Sequence, residues 1–198
     1  MKKIAITGGI GSGKSTVLNL IKMQGFPIFS CDEIYKDVVK SIEYIQKIAE
    51  TFPTVVKDGN IDKQILSSLI FNDASKRELL NQIAHPLIMK KLFDEMDLSN
   101  SDFVFAEVPV LFEGDFENLF DAVIVVKRDR KSRVSAVAAR DHLAKIDVEN
   151  RISVQFAYDT PDGMTRIKNC NAYVLENKDS INNLSNKLNV ILQKIIRS

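Results

Sequence analysis

The 198-residue sequence predicts an α/β fold, a parallel sheet flanked by helices. Short β-branched runs alternate with segments whose apolar residues recur at helical spacing. The short runs are apolar throughout, as strands buried on both faces should be. From Asp32 to about Met96 the pattern is mostly helical, which exceeds a simple crossover between neighbouring strands and reads as a helical subdomain inserted in the sheet.

Lys3 to Thr7 is the first strand. Lys14 to Gln24 then places Val17, Leu18, Leu20 and Ile21 on one helical face, with Gly25 as its stop. Phe26 to Phe29 reads as a second strand. In the insert, Asp73 caps a helix predicted to end at Ala84, and Pro86 suits the first turn of another. Asp102 to Leu111 and Asp121 to Val126 are two more buried strands, followed by helices near Lys131 to His142 and Val148 to Ala157. Ala172 to Leu175 is a fifth strand. Ile181, Leu184, Leu188, Ile191, Leu192 and Ile195 mark a closing amphipathic helix over Ser180 to Ile196.

Composition is ordinary for one globular domain, with 45% hydrophobic and 27% charged residues. The net charge of +1 supplies no general attraction for nucleic acid or an anionic membrane, so anion binding must come from a local site. Cys31 and Cys170, far apart in sequence, suit free thiols in a reducing compartment. The opening MKKIAITGGIGSGKST does not read as a secretory signal, and no apolar run is long enough to span a bilayer. These features predict a cytoplasmic protein.

The most specific signal is the run Gly8-Gly9-Ile10-Gly11-Ser12-Gly13-Lys14-Ser15-Thr16, which satisfies G-x-x-x-x-G-K-[ST] between a predicted strand and helix. Glycines let backbone N–H groups close on phosphate oxygens, and the helix beginning near Lys14 adds its positive dipole end. On this reading Gly9, Gly11, Ser12, Gly13, Lys14, Ser15 and Thr16 bind ATP. Lys14 neutralises charge on the transferring phosphoryl group, and the Ser15 hydroxyl ligates Mg²⁺.

No glycine has an aspartate three residues before it, and Asn177-Lys178-Asp179 only approaches the guanine-reading N-K-x-D, so a GTPase switch is disfavoured. A kinase needs a carboxylate at the acceptor hydroxyl. Asp32, just past the second strand, suits that role, or else it is the N-cap of the segment Glu33 to Lys40. Glu107, embedded in the third strand, suits a metal-holding acid; Glu113 lies at the strand-to-loop transition. Arg133 and Arg140, seven apart on one helix, either recognise phosphate or form a solvated face. His85, before a predicted helix, reads as a structural hydrogen-bonder.

Beyond these residues, Thr7 to Thr16 closely resembles the opening of the dephospho-coenzyme A kinase family. Ala84-His85-Pro86-Leu87-Ile88, Val108-Pro109-Val110-Leu111-Phe112-Glu113, Arg140-Asp141 and Arg151-Ile152-Ser153-Val154-Gln155 resemble further marks of that family, in its order and over about three-quarters of the chain. The resemblance implies a P-loop, nucleoside-monophosphate-kinase-like fold with a core of about 1–31, 100–130 and 170–198, a helical acceptor-binding insert of about 32–99 and a lid of about 131–169. It implies phosphorylation of the ribose 3′-hydroxyl of dephospho-coenzyme A by ATP with Mg²⁺, the final step of coenzyme A synthesis. Asp32 then falls on the catalytic aspartate and Arg140 on the lid arginine; His85 joins Asp32 at the acceptor, Asn177 joins the ATP site, and Glu107 joins Ser15 at the metal. ATP and dephospho-coenzyme A are the expected partners of a monomer. The chain departs from the family where only the second acid of D-x-D remains (Ser30-Cys31-Asp32), where Ala136 replaces an arginine, where V-I-D-N reads Val174-Leu175-Glu176-Asn177, and where Gln155 to Asn177 is several residues long. The competing readings are another small-molecule or nucleoside monophosphate kinase and a non-catalytic ATP-binding accessory protein.

Overall fold

A computed structural model of the chain describes residues 1–57, 59–71, 73–178 and 180–197. The chain divides into two compact units, Met1–Phe29 with Ser99–Ser198, and Ser30–Leu98.

The first unit is built on strands β1 (Lys2–Thr7), β5 (Phe103–Glu107), β6 (Ala122–Lys127) and β7 (Ala172–Glu176). With β2 (Ile28–Ser30) they form a five-stranded sheet in the order β2-β5-β1-β6-β7. β1 pairs in parallel with β5, Ile6 facing Glu107, and with β6, Ile6 facing Ile124; β6 pairs in parallel with β7. Ile4, Ala5, Ile6 and Thr7 are fully buried, which explains a central strand apolar on both faces. Helices α1 (Lys14–Lys22) and α9 (Ile181–Arg197) press Val17, Leu18, Ile21, Leu184, Leu188, Ile191, Leu192 and Ile195 against Ile4, Ile6, Phe105, Ile124, Val126 and Leu175. Each such side chain contributes about 1.5–3 kcal/mol. Ile181, expected on the same stripe, overhangs at the start of α9 and is exposed.

Two strands differ from the sequence expectation, and proline explains both. The second strand begins at Ile28 rather than Phe26 because Pro27 has no N–H to donate; only its carbonyl joins the sheet, accepting from Phe105 N at 3.1 Å. Phe26 instead packs edge-on against Phe103 and Phe105. The third strand stops at Glu107 rather than Leu111: Val108 N still bonds Ile6 O at 3.0 Å, and Pro109 then turns the chain into a loop closed by Gly114 N to Val110 O.

After β6 come α6 (Arg130–Asp141), α7 (Lys145–Ser153) and α8 (Pro161–Asn169). Asp129 caps α6 by accepting from Ser132 N, and His142, in the left-handed region at φ 54°, ends it. α8 was not expected, although Thr160-Pro161 is an N-cap followed by proline at the first helical position.

The second unit holds α2 (Cys31–Val38), α3 (Ile42–Thr51), the short antiparallel strands β3 (Val56–Lys57) and β4 (Asn60–Ile61), α4 (Lys63–Phe71) and α5 (Ala74–Asp97). The β3–β4 pair was not foreseen. Asp73 caps α5 as expected, accepting from Lys76 N at 3.1 Å. Pro86, however, sits inside one continuous helix instead of opening a second. A mid-helix proline costs about 3 kcal/mol. Leu80, Ala84, Leu87, Leu92 and Met96 are buried on both sides of it, and at about 1.5–3 kcal/mol for each large side chain they outweigh the lost bond.

Candidate active site

β1 ends at Thr7 and α1 begins at Lys14, so the glycine-rich run forms the turn between a buried strand and a helix N-terminus. Gly13 occupies the N-cap at φ 98°, a conformation that excludes a side chain, and a β-carbon there would collide with the Asn177 amide. That amide donates from Nδ2 to Ser12 O at 2.9 Å, so Asn177, just beyond β7, reaches the loop. Lys14 Nζ donates to Gly8 O at 2.8 Å. Ser12 Oγ is buried and has no hydrogen-bond partner among the described residues. Ser15 and Thr16 lie in the first turn of α1, Ser15 exposed.

The loop is also gripped from α6 and α7. Arg133, only 6% exposed, lies over Gly9 so closely that a β-carbon there would strike the guanidinium; Gly11 meets the backbone of Arg133 and the side chain of Val137. Arg133 Nε donates to Ile10 O at 2.9 Å, and Ile10 N donates to Gln155 Oε1 at 2.8 Å. The Ile10 side chain packs with Val134, Val137, Val148 and Ile152. Burial lowers the pKa of Arg133 while Asp159 and Tyr158 oppose that shift; an arginine stays charged regardless. The Tyr158 hydroxyl shares a 3.1 Å hydrogen bond with Thr7 Oγ1. Burial pushes its pKa up to about 12, so the phenol is neutral at physiological pH.

Arg140 takes a different place. Seven residues carry it about 10 Å along α6 from Arg133. There its side chain is 62% exposed and forks onto its neighbour Asp141, Nε to Oδ1 at 2.7 Å and Nη2 to Oδ2 at 3.0 Å. The two arginines expected on one face are therefore one buried loop contact and one exposed ion pair.

Glu107 ends β5, half-buried and in register with Ile6 one residue before the end of β1. Glu113 accepts from Phe156 N at 2.8 Å, and Phe112 stacks on Phe156 with ring centroids 4.4 Å apart. Ser15 and Glu107 offer hard oxygen donors of the kind Mg²⁺ takes together with phosphate oxygens and water. Among the described residues no group of three His, Cys, Asp or Glu could hold a metal ion.

Asp32 and His85 belong to the second unit. Asp32 is the second residue of α2 and exposed; the N-cap is Ser30, so the capping role considered for Asp32 does not apply. His85 is half-buried in the middle of α5, one residue before Pro86, rather than ahead of a helix. No role was assigned from sequence to Gln155 or Tyr158. Gln155 stood inside the Arg151-to-Gln155 run, whereas Tyr158 lies in the unexpectedly long stretch and had no signal of its own.

The sequence model for dephospho-CoA kinase matches residues 2–183. The dephospho-CoA kinase of Moorella thermoacetica is 38% identical over 159 residues, covering 77% of this chain and 75% of the relative. The crystal structure of a Thermus thermophilus protein superposes with a TM-score of 0.78 at 31% identity, covering 98% of this chain and 97% of that one. The dephospho-CoA kinase of Campylobacter jejuni superposes with a TM-score of 0.65 at 27% identity, over 98% and 96% of the two chains. With the phosphate loop, the parallel sheet and a match over nearly its whole length, the chain belongs to the dephospho-CoA kinase family.

Proposed function

We propose that this chain moves the γ-phosphoryl group of ATP to the ribose 3′-hydroxyl of dephospho-CoA, yielding CoA and ADP. The observation that carries the proposal is the phosphate loop itself: a glycine N-cap at φ 98° where no β-carbon fits, followed at once by Lys14 and Ser15 on a helix N-terminus. The N–H groups of Gly9, Gly11, Ser12 and Gly13 would hold phosphate oxygens, with Thr16 beside them and Asn177 bracing the loop through Ser12 O. Lys14, released from Gly8 O, would follow the charge that builds on the β- and γ-phosphates.

Asp32 would accept the proton of the attacking hydroxyl and hold its oxygen in line with the γ-phosphorus. A new O–P bond forms as the bond to the β,γ-bridging oxygen breaks, and ADP leaves with that electron pair. His85 would contribute to the acceptor site in the same helical unit. Ser15 and Glu107 would hold Mg²⁺, which when bound supplies charge neutralisation across the β- and γ-phosphates. Residues 131–169 would act as the lid, with Arg140 exchanging Asp141 for phosphate on closure. Cys31 and Cys170, neither of them in a disulfide, suit a cytoplasmic enzyme, proposed to act as a monomer.

The test is ADP release with a panel of acceptors. Release that depends on dephospho-CoA supports the proposal; turnover only with nucleoside monophosphates replaces it.

A further inference from the structure

The segment Phe156 to Asp159 opens the stretch where the chain runs longer than its family pattern, and it is built into the first unit at several points. Phe156 N donates to Glu113 Oε1 at 2.8 Å, and its ring stacks on Phe112. Tyr158, only 4% exposed, sets its ring edge-on to Phe112 and Phe156, with centroids 6.0 and 4.9 Å apart. Asp159 Oδ1 meets Lys127 Nζ at 2.7 Å, at the end of β6. These contacts anchor the segment without the Tyr158 hydroxyl, since a phenylalanine ring would pack the same way. The hydroxyl makes a contact of another kind. Its oxygen lies 3.1 Å from Oγ1 of Thr7, the fully buried last residue of β1. The Gly8 N–H approaches the same phenol closely enough to pull its pKa down against the larger effect of burial. Gly8 begins the phosphate loop and has no slack: its φ is 148°, and a β-carbon there would collide with Val126 O and Ser12 Oγ.

We propose that Tyr158 is a positioning residue for phosphoryl transfer: its hydroxyl fixes the Thr7–Gly8 junction where the phosphate loop leaves β1, and so aims the N–H groups of that loop. The assignment rests on the loop binding ATP. Arg133 and Gln155 hold the middle of the loop at Ile10, and Asn177 holds Ser12 O near its end. Tyr158 supplies the remaining fixed point, at the start. A loop that binds through backbone N–H groups depends on φ and ψ at each residue, so a rotation at its first residue redirects every donor after it. The extra length after Gln155 is what brings a phenol to that point.

Steady-state kinetics of the full chain with ATP and dephospho-CoA, calorimetric binding of ATP alone, and melting temperature test the assignment in two variants. Tyr158→Phe keeps the ring and removes the hydroxyl. KM and Kd for ATP should rise about five- to tenfold, as expected for one lost neutral hydrogen bond, while KM for dephospho-CoA stays within about twofold. This variant also leaves the Thr7 hydroxyl buried with its partner gone, so its melting temperature should fall. Thr7→Val combined with Tyr158→Phe removes both hydroxyls and keeps both shapes. Its melting temperature should return towards wild type while KM and Kd for ATP stay raised. A merely structural hydrogen bond would let stability and ATP affinity recover together, and that result overturns the assignment. So does unchanged ATP affinity in Tyr158→Phe, or failure of both variants to fold, which would make the hydroxyl pair a requirement of folding. A wild type that binds ATP but makes no ADP with dephospho-CoA removes the proposed acceptor and leaves the calorimetric test of Tyr158 standing. A wild type that does not bind ATP overturns both.

Discussion

Arg133 holds Ile10. The guanidinium at the start of α6 donates to the carbonyl of the phosphate loop at 2.9 Å, while the amide of the same residue is bound by Gln155 and its side chain sits among Val134, Val137, Val148 and Ile152. The loop is thus shaped partly by residues more than a hundred positions away. Arg133→Ala should raise KM for ATP about tenfold or more, because the N–H groups lose their fixed geometry. Arg133→Lys should recover little, since an ammonium does not reproduce the planar Nε donor. Titration of ATP against both variants, with dephospho-CoA saturating, reads the effect; unchanged KM in Arg133→Ala would show that the loop holds its shape unaided.

Asp32 gives a sharper distinction now that Ser30 is known to be the N-cap of α2. Asp32→Asn preserves size and removes the basic carboxylate. Turnover should fall about a hundredfold or more while ATP affinity and melting temperature stay near wild type. A nearly fully active Asp32→Asn enzyme would move the search for a base to Glu107.

Arg166 of α8 is a matter of stability. It donates to Glu117 at 2.6 and 2.9 Å and to Asp115 at 2.5 Å, and lies over the rings of Phe112 and Phe156. The Glu117 side chain is only 8% exposed, so removing its cation strands a buried charge. Arg166→Ala should cost about 2–4 kcal/mol in urea unfolding, less than a wholly buried pair because Arg166 itself is a third exposed. A loss below about half a kcal/mol would mean that solvent already screens Glu117.

Asp129 gives a pH signature. Hydrogen bonding from Ser132 holds its carboxyl below the ordinary carboxylate value in the folded chain. A carboxyl lower in the folded than in the unfolded state adds stability above its unfolded value, near about pH 4, and that increment is lost as the pH falls through the folded value. Asp129→Asn should therefore be less stable than wild type at pH 7, and the gap should close below about pH 4. Melting curves across that range check the sign; a gap that widens in acid would contradict the assignment.

The elements most legible in the sequence were those whose signals are local. The strand Lys2–Thr7, the glycine run and the start of α1 are set by apolar continuity, by residues that permit positive φ, and by a helix N-terminus, all within 22 residues. Pro86 misled because its local cost is real and only the buried stripe of the whole unit outweighs it. The β3–β4 pair is two residues a side, too short to show alternation. Arg133 and Arg140 share a helical face by spacing; which of them is buried depends on where α6 meets the loop, and that is tertiary. Tyr158 meets Thr7 from far along the chain, a contact that no local pattern records.

The strand order has a consequence for how the molecule is made. Lys2 of β1 pairs with Phe103 of β5, and Ile4 with Ala122 of β6, so the first strand leaves the ribosome about a hundred residues before either partner. At about 5–20 residues per second that delay is roughly 5–20 s, during which an apolar strand waits without a sheet to join. The stretch Ser30–Leu98, whose contacts are largely with itself, emerges in that interval and can begin to condense while β1 remains unpaired. Sheet closure is then a late, non-local event. The nascent chain is most exposed to aggregation just before residues 103–107 emerge.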